Sequence, residues 1–186
     1  MSFNAYNKFK SYKDLSYKII TALINDNEDI WKMLKYDTTD ALSQPNLTLA
    51  EKGALIYSGE EDATLFRVFR DEFTDDAFDK RVSQLRIFPS TTIPENHLVA
   101  IQDVVIQIVI HTKINTMDDY LTRMDTFIEN ILGTLNGSDI GTVGTLYFDR
   151  SRGRNDVIRR GAGIGNNKNF LGAMITMSVN LASPEL

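Results

Sequence analysis

Cysteine is absent from the 186-residue chain, and histidine occurs only at His97 and His111. The first absence excludes disulfides, thiolate-bound zinc, iron–sulfur clusters and thiol catalysis, and it fits a reducing compartment. The two histidines share no metal-ligand spacing with each other or with carboxylates, so ordinary polar roles are expected for both. Long hydrophobic runs are missing as well. The longest, residues 104–110, is broken by Gln107 and is far too short to cross a bilayer. Residues 1–14 are polar and lack the apolar stretch of a signal peptide, so neither secretion nor membrane contact is expected. Positive charge is in deficit, with 20 Lys+Arg against 25 Asp+Glu and a net charge of −5, which argues against a generic nucleic-acid binder. Neither a Gly-x-Ser-x-Gly elbow nor a P-loop occurs. The glycines 161, 163 and 165 lack the strand–turn–helix context of a dinucleotide loop. No enzyme activity, cofactor or metal is therefore expected.

What remains is an ordinary globular composition, 42% hydrophobic and 24% charged, of a size for one domain over residues 1–186. Residues 1–58 read as a helical part. Leu15, Ile19, Ala22 and Leu23 recur at helical spacing and predict a first helix over residues 12–23. Ile30, Trp31 and Leu34 predict a second, capped by a preceding Asn or Asp. Thr48 three residues before Glu51 has capping-box spacing and predicts a third, reaching residue 56.

Residues 59–186 read as a sheet with a covering helix. Short strands are expected over residues 65–69 and 82–88, the latter stopped by Pro89. Val104, Ile106, Ile108 and Ile110 alternate with a less apolar set and predict a long strand. A helix is expected over residues 116–135, with Thr116 as N-cap and Tyr120, Met124, Phe127, Ile128, Ile131, Leu132 and Leu135 as its apolar stripe. Asn136-Gly137 marks its end. Strands near residues 145–148 and 169–181 complete an α+β fold, a mostly antiparallel sheet covered by a central helix. The acidic runs at residues 60–62 and 71–79 read as solvated faces, lacking the ligand order of a calcium loop.

One segment departs from the rest in charge. Residues 150–168 carry Arg150, Arg152, Arg154, Arg159, Arg160 and Lys168 against the single acid Asp156, giving +5, so the remainder of the chain is −10. Four glycines, 153, 161, 163 and 165, punctuate it. A long flexible basic hairpin loop is expected, either solvated or ordering against a polyanion or an acidic neighbouring subunit. It contains no aromatic residue for base stacking.

The second half also resembles the tail-terminator and neck proteins of long-tailed bacteriophages. The resemblance lies in the order of the long strand at residues 104–111, the helix Leu121-Thr122-Arg123-Met124-Asp125-Thr126-Phe127-Ile128, Gly144-Thr145-Leu146-Tyr147-Phe148, a glycine-rich hairpin and the strand Phe170-Leu171-Gly172-Ala173-Met174-Ile175-Thr176-Met177. It implies a structural virion protein without an active site, in a homo-oligomeric ring, often hexameric, at the head–tail junction. Portal, adaptor or tail-tube proteins would be its partners, and genomic DNA would pass non-specifically through its channel. A head-completion adaptor or stopper on the portal, and a nucleic-acid-binding module using the basic loop, are the alternatives. The six basic residues are the candidate partner or channel contacts.

Overall fold

The computed structural model describes residues 14–59, 62–71, 81–94, 99–141, 144–148, 157–164 and 167–182. Helices α1 (Leu15–Asp26) and α2 (Glu28–Lys35) meet at a corner built on Asn27. Its side chain caps α2 by accepting from Ile30 N–H at 3.0 Å, and its amide donates to Asn130 Oδ1 and Thr134 Oγ1 at 2.9 Å each. One residue thus ends α1, starts α2 and ties both to the last helix. Helix α3 (Leu49–Ala54) starts in the expected capping box. Glu51 N–H donates to the Thr48 hydroxyl, and the Glu51 carboxylate accepts from Thr48 N–H at 2.9 Å.

Lys52 of α3 is buried and holds Glu28 at 2.7 Å while donating to Ile24 O at 3.0 Å. Glu28 also accepts from Leu47 N–H at 2.7 Å. Burial pushes the Glu28 carboxyl up, but the Lys52 ammonium and the Leu47 N–H outweigh it and hold it below its ordinary 4.5. A carboxyl lowered on folding stabilises the fold above its unfolded range, and that contribution is lost as pH falls through the depressed value. Glu28→Gln should therefore cost about 1 kcal/mol at neutral pH and less at pH 3, where protonation erodes the ion pair. Urea titrations at the two pH values check this, and an equal loss at both would refute the ion-pair account.

The sheet runs β1-β2-β3-β6-β4, with β5 also on β6. The strands are β1 (Val68–Phe69), β2 (Ser83–Pro94), β3 (Val99–His111), β4 (Leu146–Tyr147), β5 (Val157–Ile164) and β6 (Asn167–Ala182). All pairs are antiparallel except β1–β2, so the α+β class holds. Beta-4 and β5 lie along the same edge of β6, opposite residues 178–179 and 167–176 respectively. Gly144 leads into β4 at φ 112°. A Cβ there would meet Asn180 O at 2.9 Å, so only glycine lets the chain approach β6 so closely.

Helices α1 and α2 and the helix α4 (Arg123–Leu135) share one core with a single face of the sheet. Val104, Ile106, Ile108 and Ile110 of β3 and Ile175, Met177 and Val179 of β6 meet Leu15, Ile19, Leu23, Trp31, Phe127 and Ile131 there. The expected alternation in β3 puts its most apolar set inward.

Four expectations need correction. The strand expected at residues 65–69 is only β1, because Ala63–Leu65 turns as a 3-10 helix whose Thr64 N–H donates to Asp62. Beta-2 continues through Pro89 to Pro94, with a register shift between Pro89 and Thr92. Beta-1 reaches only as far as Arg86, so among the described residues Pro89 lies on an open edge, where its missing N–H costs no ladder bond.

The long helix begins at Arg123, not near Thr116. Thr116 and Thr122 face each other across a closed loop, with Met117 N–H on Leu121 O at 2.9 Å and Arg123 N–H on Asn115 O at 2.7 Å. Both threonines precede an aspartate by three residues, and Thr122 is the one that caps, accepting from Asp125 N–H at 3.2 Å. Met117 in the core and Arg123 among buried carbonyls select the second signal. Tyr120, assigned to the helix stripe, is instead 99% exposed at φ 62°.

The expected flexible loop over residues 150–168 is in large part a strand, β5, and β6 begins already at Asn167. Glycines 161 and 163 dilute the apolar alternation of β5, but β6 offers it a complete antiparallel partner, and this pairing overrides local propensity. Residues 149–156 lie outside the described residues.

Candidate partner-contact surface

Strand alternation separates the two arginines of β5. Arg160 is opposite Ala173 and lies on the helix side of the sheet, whereas Arg159 is opposite Met174 and lies on the other side. Both are exposed. They do not converge on one surface. Arg150, Arg152 and Arg154 lie outside the described residues, and Lys168 is placed only by its backbone, in β6. On its free side β5 has no partner strand among the described residues.

Arg160 reaches α4. Its Nη2 sits 2.5 Å from Asp125 Oδ1, with both side chains about half exposed. The other oxygen of Asp125 accepts from the hydroxyl of Thr122, the cap of its own helix. The Thr122 hydroxyl, joined by Arg160, holds the Asp125 carboxyl below its ordinary 3.8 against the opposing effect of burial. The pair closes one side of an open groove of about 350 Å³ between the start of α4 and the β5–β6 hairpin, lined also by Asn115, Gly161 and Gly172. Arg160 from β5 and Leu171 from β6 line it with side chains, whereas the in-register pair Gly161 and Gly172 belongs by alternation to the other face and borders it through backbone.

The loop closed by Thr116 and Thr122 stands beside this groove. Tyr120 and Leu121 project from it, 99% and 51% exposed. Asp118 in the loop, and Asp125 and Glu129 one turn apart on α4, are exposed as well. This patch escaped the sequence reading because Tyr120 fits the helical stripe by spacing.

The structure also assembles a buried polar cluster that the sequence did not signal. Arg123 is fully buried and donates to Ile114 O, Met33 O, Tyr36 O and Thr38 O at 3.0, 2.7, 2.8 and 2.6 Å. Burial raises the nearby Asp37 carboxyl, and Arg67 and Arg123 draw it partly back. His111 is an end-of-strand cap. Its Nδ1 accepts from Lys113 N–H at 3.2 Å, and its ring stands edge-on to Phe170 at 5.1 Å. Burial, Arg81 and Lys113 together lower its pKa. His97 lies outside the described residues. No helix among the described residues is long and apolar enough to cross a membrane.

A search of curated proteins finds no match. The YomW family model, by contrast, matches residues 27–179, from the corner at Asn27 to the end of β6 where β4 pairs. The family carries the name of a phage-derived protein, so the chain is phage-associated. The match covers most of the 186 residues, from α2 through most of β6, and by it the chain belongs to the YomW family.

Proposed function

We propose that this chain is a non-enzymatic structural subunit of a tailed-phage virion, closing into a homo-oligomeric ring of the tail-terminator or neck type at the head–tail junction. The carrying observation is β5, a strand with an open edge among the described residues, within a segment of +5 in a chain that is otherwise −10. Open edges pair with other chains unless they are blunted, and ring closure requires two different patches of one subunit to meet. A basic edge against an acidic body supplies complementary charge for such a contact. The order β3, α4, β4, β5–β6 hairpin matches the element order of the resemblance. Passing DNA would meet the basic segment only through phosphates, without base recognition.

The test reverses charge while leaving the Arg160–Asp125 pair intact. Arg152, Arg154 and Arg159 changed together to Glu shift the charge by six units, and Arg159 is the exposed member of the β5 pair without an ion pair among the described residues. The variant should fold with an unchanged denaturation midpoint, yet light scattering should show loss of the ring. A ring that forms as in the parent protein would remove this segment from the interface.

A further inference from the structure

Tyr120 combines two properties that rarely coexist in a surface residue. Its side chain is 99% exposed, so it gains nothing from the fold, yet its backbone is held at φ 62°, where a bulky L-residue is strained. The loop hydrogen bonds from Met117 to Leu121 and from Arg123 to Asn115 enforce that conformation. Leu121, half-exposed, extends the apolar surface beside it; Asp118 in the same loop and Glu129 on α4 are exposed acids without an ion pair among the described residues, whereas Asp125 is held by Arg160. The patch therefore suits a partner that is aromatic and basic at once.

This chain contains such a segment. Residues 1–13 hold Phe3, Tyr6, Phe9 and Tyr12, an aromatic at every third position, with Lys8, Lys10 and Lys13 and no acidic residue. They lie outside the described residues and lead into α1 at Asp14. Extended, 13 residues span about 45 Å, against a radius of gyration of about 16 Å for a domain of this length. The segment is long enough to leave its own body. Lysine ammonium groups can stack on the Tyr120 ring and pair with the acids beside it, while the aromatic residues cover Leu121. We propose that residues 1–13 of one copy dock on the Tyr120–Leu121 patch of a second copy, as an arm that links neighbouring subunits. The proposal rests on the ring reading in requiring a second copy, but it uses a different surface from β5.

The absence of cysteine makes the test clean. Full-length Phe9→Cys and Leu121→Cys chains are mixed under mild oxidation, with the pair Phe9→Cys and Leu65→Cys as control, since Leu65 is another exposed leucine. A disulfide-linked dimer is expected at least fivefold above the control pair. Lys8→Glu with Lys10→Glu in the first chain should abolish that excess, and Asp118→Lys with Glu129→Lys in the second should restore it. In a parallel experiment Tyr120→Gly, which relieves the positive φ, should weaken association while leaving the denaturation midpoint unchanged or higher. A ring by light scattering with no excess of cross-link overturns the arm and leaves the ring reading standing. A diluted Phe9→Cys/Leu121→Cys chain that links within itself also overturns the exchange between copies. A chain that stays monomeric at every concentration overturns the ring reading and the arm with it.

Discussion

Replacing Arg123 by Met should lower the unfolding free energy by about 3–5 kcal/mol. The guanidinium is fully buried and donates to four carbonyls on two stretches of chain, residues 33–38 and Ile114. Met33 O and Tyr36 O lie at the C-terminal end of α2, where the last carbonyls have no partner within the helix and the macrodipole favours a cation. Arg123 is the first residue of α4, so one side chain closes the end of one helix from the start of another. Met keeps the length and apolar stem but leaves those carbonyls dry and unpaired, and Asp37 loses a neighbouring cation. Lys restores charge with fewer donors in a different geometry and should recover only part of the loss. Urea unfolding of the two variants measures both effects. A Met variant within about 1 kcal/mol of the parent would mean that the carbonyls find other donors.

The contrast between Arg123 and the caps of α2 and α3 shows what kind of information a sequence carries on its surface. Thr48 and Glu51 lie three residues apart, and the whole capping box is written within four positions. Asn27 caps α2 by the same local logic, and the inward face of β3 follows from strict alternation. The partners of Arg123, by contrast, lie nine to ninety residues away, and nothing near it predicts their convergence. Sequence spacing misplaces the start of α4 at Thr116 for a related reason. Two threonine–aspartate signals compete, and only burial of Met117 and Arg123 decides between them. Beta-5 escaped because its strand character resides in β6, its pairing partner, more than in its own glycine-containing sequence.

The candidate contact surface divides in the same way. The basic character of residues 150–168 was legible as a charge count, which needs no structure. Its geometry was not. Alternation along β5 places Arg159 and Arg160 on opposite sides of the sheet, and Asp125, 35 residues earlier, engages one of them. The acidic, aromatic patch at Tyr120 is invisible to periodicity because the loop that displays it imitates one more turn of the following helix.

Phe127→Ala should cost about 3–5 kcal/mol as well, through a different mechanism. Phe127 is fully buried in the middle of the inward stripe of α4, with Met124, Ile128, Ile131 and Leu135 on the same face. Helix α4 packs on β3 on one side and on α1 and α2 on the others, so the ring sits where three elements converge. Removing it loses the transfer free energy of the side chain and leaves a cavity that paired strands and capped helices close poorly. Leu at this position keeps most of the volume and should cost less than half as much. Glu129→Ala, on the exposed face two residues along, should stay within about 0.5 kcal/mol and serves as the control for helix propensity. Thermal and urea unfolding of the three variants give the ranking directly. A Phe127→Ala midpoint equal to that of Glu129→Ala would mean that α4 presents a different face to the sheet. A deep loss in Ala largely recovered in Leu would identify volume in the core as what the position requires.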